Sequence, residues 1–219
     1  MASTVPASPT SGSHIPLAVA IALLVAGMIW FVGRVSHYLT DYSLASYTGY
    51  FWPRRVGLAV HLVGGFVALS TGVTQIWLGL TRRTGQVHRV LGKVYASAIL
   101  VASIGGFYLA FTIPGQLAYR TGLVFLNVAW VITTTMALYS IRTRRIQQHR
   151  EWMLRSYIVT FAFVTFRFGE KVLRHWITLP AGPDADDISI IMAWSCWAVP
   201  LLLGEPLIQL HAMRRTRSK

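Results

Sequence analysis

Residues 87–113 read VHRVLGKVYASAILVASIGGFYLAFTI. A His-Arg pair and a Lys are followed at once by a long apolar run. Residues 90–113 are close to the ~20 residues that carry a helix across a bilayer core. Five other runs read the same way: 15–32, 56–78, 121–141, 157–176 and 188–210. The chain has 219 residues, is 54% hydrophobic and only 12% charged, against about 25% charge in a soluble domain. No stretch between the runs is long enough to bury a core of its own. The sequence therefore predicts an all-α polytopic membrane protein, a bundle of six transmembrane helices over 15–213. A small, polar, disordered tail (1–14) precedes it and a basic tail (214–219) follows it. The tail has no basic n-region and the first run no evident cleavage site, so that run reads as a retained helix.

The formal net charge of +13 points first to nucleic acid, but its distribution argues against that. Arg82, Arg83, Arg89 and Lys93 lie between the second and third runs. Arg142, Arg144, Arg145, Arg150 and Arg155 lie between the fourth and fifth, and Arg214, Arg215, Arg217 and Lys219 close the chain. Threading six helices in order puts all of these on one side. Arg34, Arg54, Arg55, Arg120 and the acids Asp41, Asp184, Asp186 and Asp187 fall on the other. This is the positive-inside pattern and places both termini in the cytoplasm of a bacterial cell. The implied partners are the bilayer and its anionic headgroups, not nucleic acid. Cys196 is the only cysteine, which excludes an internal disulfide and a Cys-rich metal site.

Small residues at spacing four (Gly64, Ala68, Gly72) predict close helix packing. The long first loop, HYLTDYSLASYTGYFWPRR, is dense in Tyr; it suits an aromatic belt and has room for a short helix. In the fifth run His149, Met153, Ser156, Thr160, Phe163, Arg167, Glu170 and Arg174 form one largely polar stripe. Arg167 and Glu170, three apart, are spaced to pair. The plainer reading of the stripe's last residues is that they reach the outer interface.

Among the seven histidines, His14, His37 and His211 lie in the tail, the first loop and the C-terminal edge. The other four carry more. His88 (VHRVLGKVY) and His149 (QHREWMLRSY) open two parallel helices at equal depth on the cytoplasmic side. His61 and His175 lie towards the outer side. Two imidazoles facing each other in a helix bundle are how six-coordinate b-type haem is held, with Arg89, Arg150 and Arg155 available to propionates. Lys93 is a further cation there, and Trp130, Trp152 and Tyr95 are flat groups suited to a macrocycle. A quinone is the corresponding electron partner. Two other readings use the same residues. His-Arg pairs at helix starts suit an anionic headgroup or partner complex without catalysis. Alternatively, His88, His149 and Glu205 could hold a divalent metal. Glu205 needs a partner at its depth, and Pro206 after it disturbs the helix. No phosphate loop, nucleophile elbow or metalloprotease motif occurs, and no paired broken helices favour a transporter.

The stretches VGLAVHLVGG, HRVLGKVY, AWVITTTMAL, HREWMLRSYIVTFAFVTFRF and AWSCWAVPLLLGEPLI resemble the bacterial membrane proteins of the domain of unknown function 2306 family. The resemblance runs from about residue 56 to 210, is densest over 80–95 and 148–167, and implies fold more than activity. More loosely, the chain is similar to transmembrane di-haem cytochromes of the ferric-reductase kind, which ligate haem between alternate helices. That likeness implies His88 with His149 as one ligand pair and His61 as half of another. It departs at the fourth helix, which has no histidine.

Overall fold

A computed structural model describes residues 15–81, 83–177 and 187–217. The expected disordered tail 1–14 and the loop residues 178–186 before the last helix lie outside them. The described chain is helical, without strands. Helix α1 spans Ile15–Val35, and the first loop holds the short α2 (His37–Thr40) and α3 (Leu44–Phe51). A 3-10 turn at Trp52–Arg54 leads into α4 (Arg55–Leu80), followed by α5 (Gln86–Thr112) and α6 (Leu117–Arg142). Then come α7 (Ile146–Thr160), α8 (Ala162–Trp176) and α9 (Asp187–Arg217).

Among the described residues five helical stretches are long and apolar enough to cross a membrane: Ala18–Val35, Leu44–Leu80, Gln86–Thr112, Leu117–Arg142 and Asp187–Leu210. The run expected at 157–176 differs. Its helix begins earlier, at Ile146, and divides at Phe161 into two helices of 15 residues each. Neither half alone reaches the ~20 residues of a span. The backbone at Phe161 flattens to ψ −9°, and the halves have different partners. α7 packs on α6, α4 and α9, whereas α8 packs on α1 and α9.

Helices α4, α5, α6 and α7 form a ring in which each touches the next and α7 returns to α4. The α4–α5 seam is closest because small residues line it. A Cβ at Gly64 would stand 2.9 Å from the Ala102 Cβ, and one at Gly105 2.6 Å from the Gly57 carbonyl. Ala68, Tyr95, Ile99, Ala102, Trp130 and Val159 are buried inside the ring. α1 closes one flank and α9 the other.

Two details explain residues that composition alone left open. Arg54 donates to the Thr112 carbonyl (2.8 Å), and Arg120 to those of Ala110 and Phe111. These cations thus satisfy the carbonyls left over at the end of α5. Pro200 lies inside α9 and has no N–H for the Cys196 carbonyl. Thr165 on α8 supplies the missing donor at 2.8 Å. The Tyr-rich first loop forms a packed knot: Tyr47 is fully buried, with rings of Tyr38, Tyr42 and Trp52 edge-on around it.

Candidate functional site

A buried hydroxyl cluster fixes the register of α5, α6 and α7. The Tyr95 hydroxyl lies 2.9 Å from both Ser156 Oγ and Thr160 Oγ1. Trp130 Nε1 donates to Thr160 Oγ1 at 2.8 Å, and Thr134 Oγ1 lies 2.8 Å from Ser156 Oγ. The cluster sits among apolar side chains, where each unmet polar group would cost heavily, and every hydroxyl in it has a partner.

His88 is seven residues before Tyr95, and His149 seven before Ser156. Seven residues are about two turns, or ~10 Å. Two parallel helices pinned at Tyr95–Ser156 therefore bring His88 and His149 towards each other at their N-terminal ends. The His149 Nδ1 donates to the Ala137 carbonyl of α6 at 2.9 Å. A carbonyl only accepts, so Nδ1 carries the hydrogen and the neutral ring keeps its lone pair on Nε2. His88 is half-buried, and its Nδ1 is buried with no partner among the described residues. Gln75 holds this end of α5 through the His88 carbonyl, at 2.6 Å.

His61 lies on the other side of the hydroxyl cluster. Its Nδ1 donates to the Ala102 carbonyl at 2.8 Å, and its ring packs 4.8 Å from Phe163 and 6.5 Å from Trp130. Ala102 and Phe163 are each seven residues beyond Tyr95 and Ser156, again about two turns. The ring thus has three levels: His88 with His149, then the hydroxyls, then His61.

Other expected site residues are placed elsewhere. His175 is exposed beside Trp176, twelve residues along α8 from Phe163, or ~18 Å, so it does not join His61. Arg89 is exposed and Arg150 half-buried. Arg155 turns away from the histidines to Glu205, with Nε–Oε2 2.9 Å and Nη2–Oε1 2.6 Å, and its guanidinium lies over Trp152. The expected triad of His88, His149 and Glu205 is therefore not assembled, because Arg155 and Gln209 take up the carboxylate. Among the described residues no group of three or more His, Cys, Asp or Glu side chains could hold a metal ion. Glu170 pairs with Arg167 at 3.3 Å, as its spacing predicts, and also with Arg174 at 3.0 Å. Both arginines are partly exposed, in line with the interface reading.

Sequence reasoning passed over Asn127. It is buried near the middle of α6, and its Oδ1 has no partner among the described residues. An amide within an otherwise apolar run was the available signal.

The described fold and its buried polar core are those of an α-helical membrane protein that crosses the bilayer several times. Residues 58–208, well over half of the chain, match the profile of the family described as predicted membrane protein (DUF2306), and the chain belongs to that family. No curated protein and no solved structure matches it.

Proposed function

We propose that this chain is a cytoplasmic-membrane haem protein that holds b-type haem between His88 and His149. One observation carries the reading: the Tyr95–Ser156 contact and the seven-residue spacing on both helices put the two imidazoles at the same level of neighbouring parallel helices. Three features fit the group. His149 presents Nε2 because Ala137 holds Nδ1, the backbone bond that orients a ligating imidazole. The buried Nδ1 of His88 is without a partner among the described residues. Arg89 and Arg150 adjoin the pair in sequence, and neither meets a carboxylate among the described residues. Haem bound there supplies one-electron transfer within the membrane. The chain's own residues orient the rings, keep water from the buried side and offer guanidinium groups at the polar edge. The same arginine-rich edge faces the cytoplasm and anionic headgroups.

The test is haem content of the full chain, purified from haem-supplied cells. His88→Ala and His149→Ala should each lose most of the bound haem, while His61→Ala and His175→Ala retain it. Unchanged haem in either of the first two variants would refute the ligand assignment.

A further inference from the structure

A cavity of about 140 Å³ lies on the His61 side of the hydroxyl cluster, among helices α1, α4, α5, α6 and α8. An apolar space of about 150 Å³ holds one benzene ring. Phe31, Leu58, Leu109, Trp130, Phe163 and Phe166 give this one apolar, largely aromatic walls. Its two ends differ in chemistry. His61 stands at the deep end. Arg167 stands at the other, beside the first loop and the α5–α6 turn, with the hydroxyl-bearing Tyr38 and Tyr119.

The deep end accepts. The His61 Nδ1 hydrogen is committed to the Ala102 carbonyl, so in the neutral ring Nε2 can only accept. Asn127 adds no ligand contact, because its Nδ2 donates to the Leu123 carbonyl at 2.9 Å and its Oδ1 is packed against Gly106. The outer end donates. Arg167 is partly exposed and gives Nη1 to Glu170 at 3.3 Å, but a guanidinium has five N–H groups. Glu170 is also held by Arg174 at 3.0 Å and Ser189 at 3.2 Å. Two guanidinium groups thus share one carboxylate, which leaves a net positive charge at this end.

We propose that this cavity binds a small aromatic carboxylate with a para hydroxyl, of the hydroxybenzoate class. Its carboxylate accepts from Arg167 in the paired geometry that guanidinium and carboxylate favour. Its ring lies between aromatic walls, and its hydroxyl donates to His61 Nε2. The length agrees. The Phe163 ring is 4.8 Å from the His61 ring, and Arg167 is about one turn further along α8, ~6 Å. One para-substituted benzene ring bridges that span. The inference rests on the cavity alone and does not need haem between His88 and His149.

The test is calorimetric titration of the full chain in a non-ionic detergent with 4-hydroxybenzoate, which should saturate at one per chain. Benzoate lacks the hydroxyl and should bind about tenfold more weakly, the scale of one net hydrogen bond. A site without an acceptor would instead prefer benzoate, the more apolar of the two. Arg167→Gln should weaken 4-hydroxybenzoate by about tenfold to a hundredfold and leave the neutral 4-hydroxybenzamide nearly unchanged. The substitution spares the Glu170 bonds to Arg174 and Ser189. Should it still not fold, the ligand series on the unaltered chain decides. No saturable binding of 4-hydroxybenzoate would overturn the proposal. So would equal affinity for benzoate or hexanoate, or equal losses of acid and amide in Arg167→Gln. Haem loss from the His88 and His149 variants is a separate readout, so either proposal can fail alone.

Discussion

Thr160 has more at stake than any other hydroxyl in the bundle. It accepts from Trp130 and meets the Tyr95 hydroxyl. Thr160→Val strands the buried indole N–H and should cost about 1–3 kcal/mol. Tyr95→Phe leaves the Trp130–Thr160 and Thr134–Ser156 bonds in place and should cost less than 1 kcal/mol beyond any packing change. Thermal unfolding in detergent checks the order of the two; a larger loss for Tyr95→Phe would contradict it. The positions of Ser156 and Thr160 were legible as a polar stripe on a helix. Tyr95 was legible only as a flat aromatic, because nothing local says that its hydroxyl reaches across the bundle. His88 and His149 were legible as a pair because their sequence settings echo each other. That Arg155 would leave them for Glu205 was not, since residues fifty apart meet only once α9 is docked.

At the scale of elements, the α8–α9 contact depends on a proline. With Pro200 in place the Cys196 carbonyl relies on Thr165. Thr165→Val should destabilise the chain by about 1 kcal/mol, and by clearly less in a Pro200→Ala background, where a backbone N–H can take over. A double-mutant cycle by thermal unfolding measures that coupling; equal losses in both backgrounds would remove the explanation. The α4–α5 seam makes a second prediction. Gly105→Ala forces a methyl against the Gly57 carbonyl and should cost about 1–3 kcal/mol. Gly79→Ala, where nothing stands within 4 Å, should be neutral or slightly stabilising. The Gly64, Ala68, Gly72 spacing announced this seam in the sequence. The division at Phe161 was not announced. No proline or glycine marks it, and the different partners of α7 and α8 arise only in the folded bundle.

At the scale of the whole molecule, the helical membrane class was plain from six apolar runs and a sparse, clustered charge. Five of the runs appear as long helices, and the remaining one is divided. Charge alone could not separate cations that set topology from those with a structural task. Arg54 and Arg120 counted as outer charges, yet they cap the end of α5. The proposed orientation can be tested by cysteine labelling, since Cys196 is buried and gives little background. An impermeant maleimide should label Gln116→Cys in intact cells and Thr84→Cys only after permeabilisation. The reverse pattern would invert the topology.

The three scales meet at one place: hydroxyls set a register, the register brings two histidines to one level, and we propose that these histidines hold haem. One visible spectrum of the unaltered chain, purified from haem-supplied cells, tests it most directly. A Soret band is expected, with sharp α and β bands on reduction, at about one haem per chain for a pair of imidazole ligands. A folded but colourless protein would contradict it.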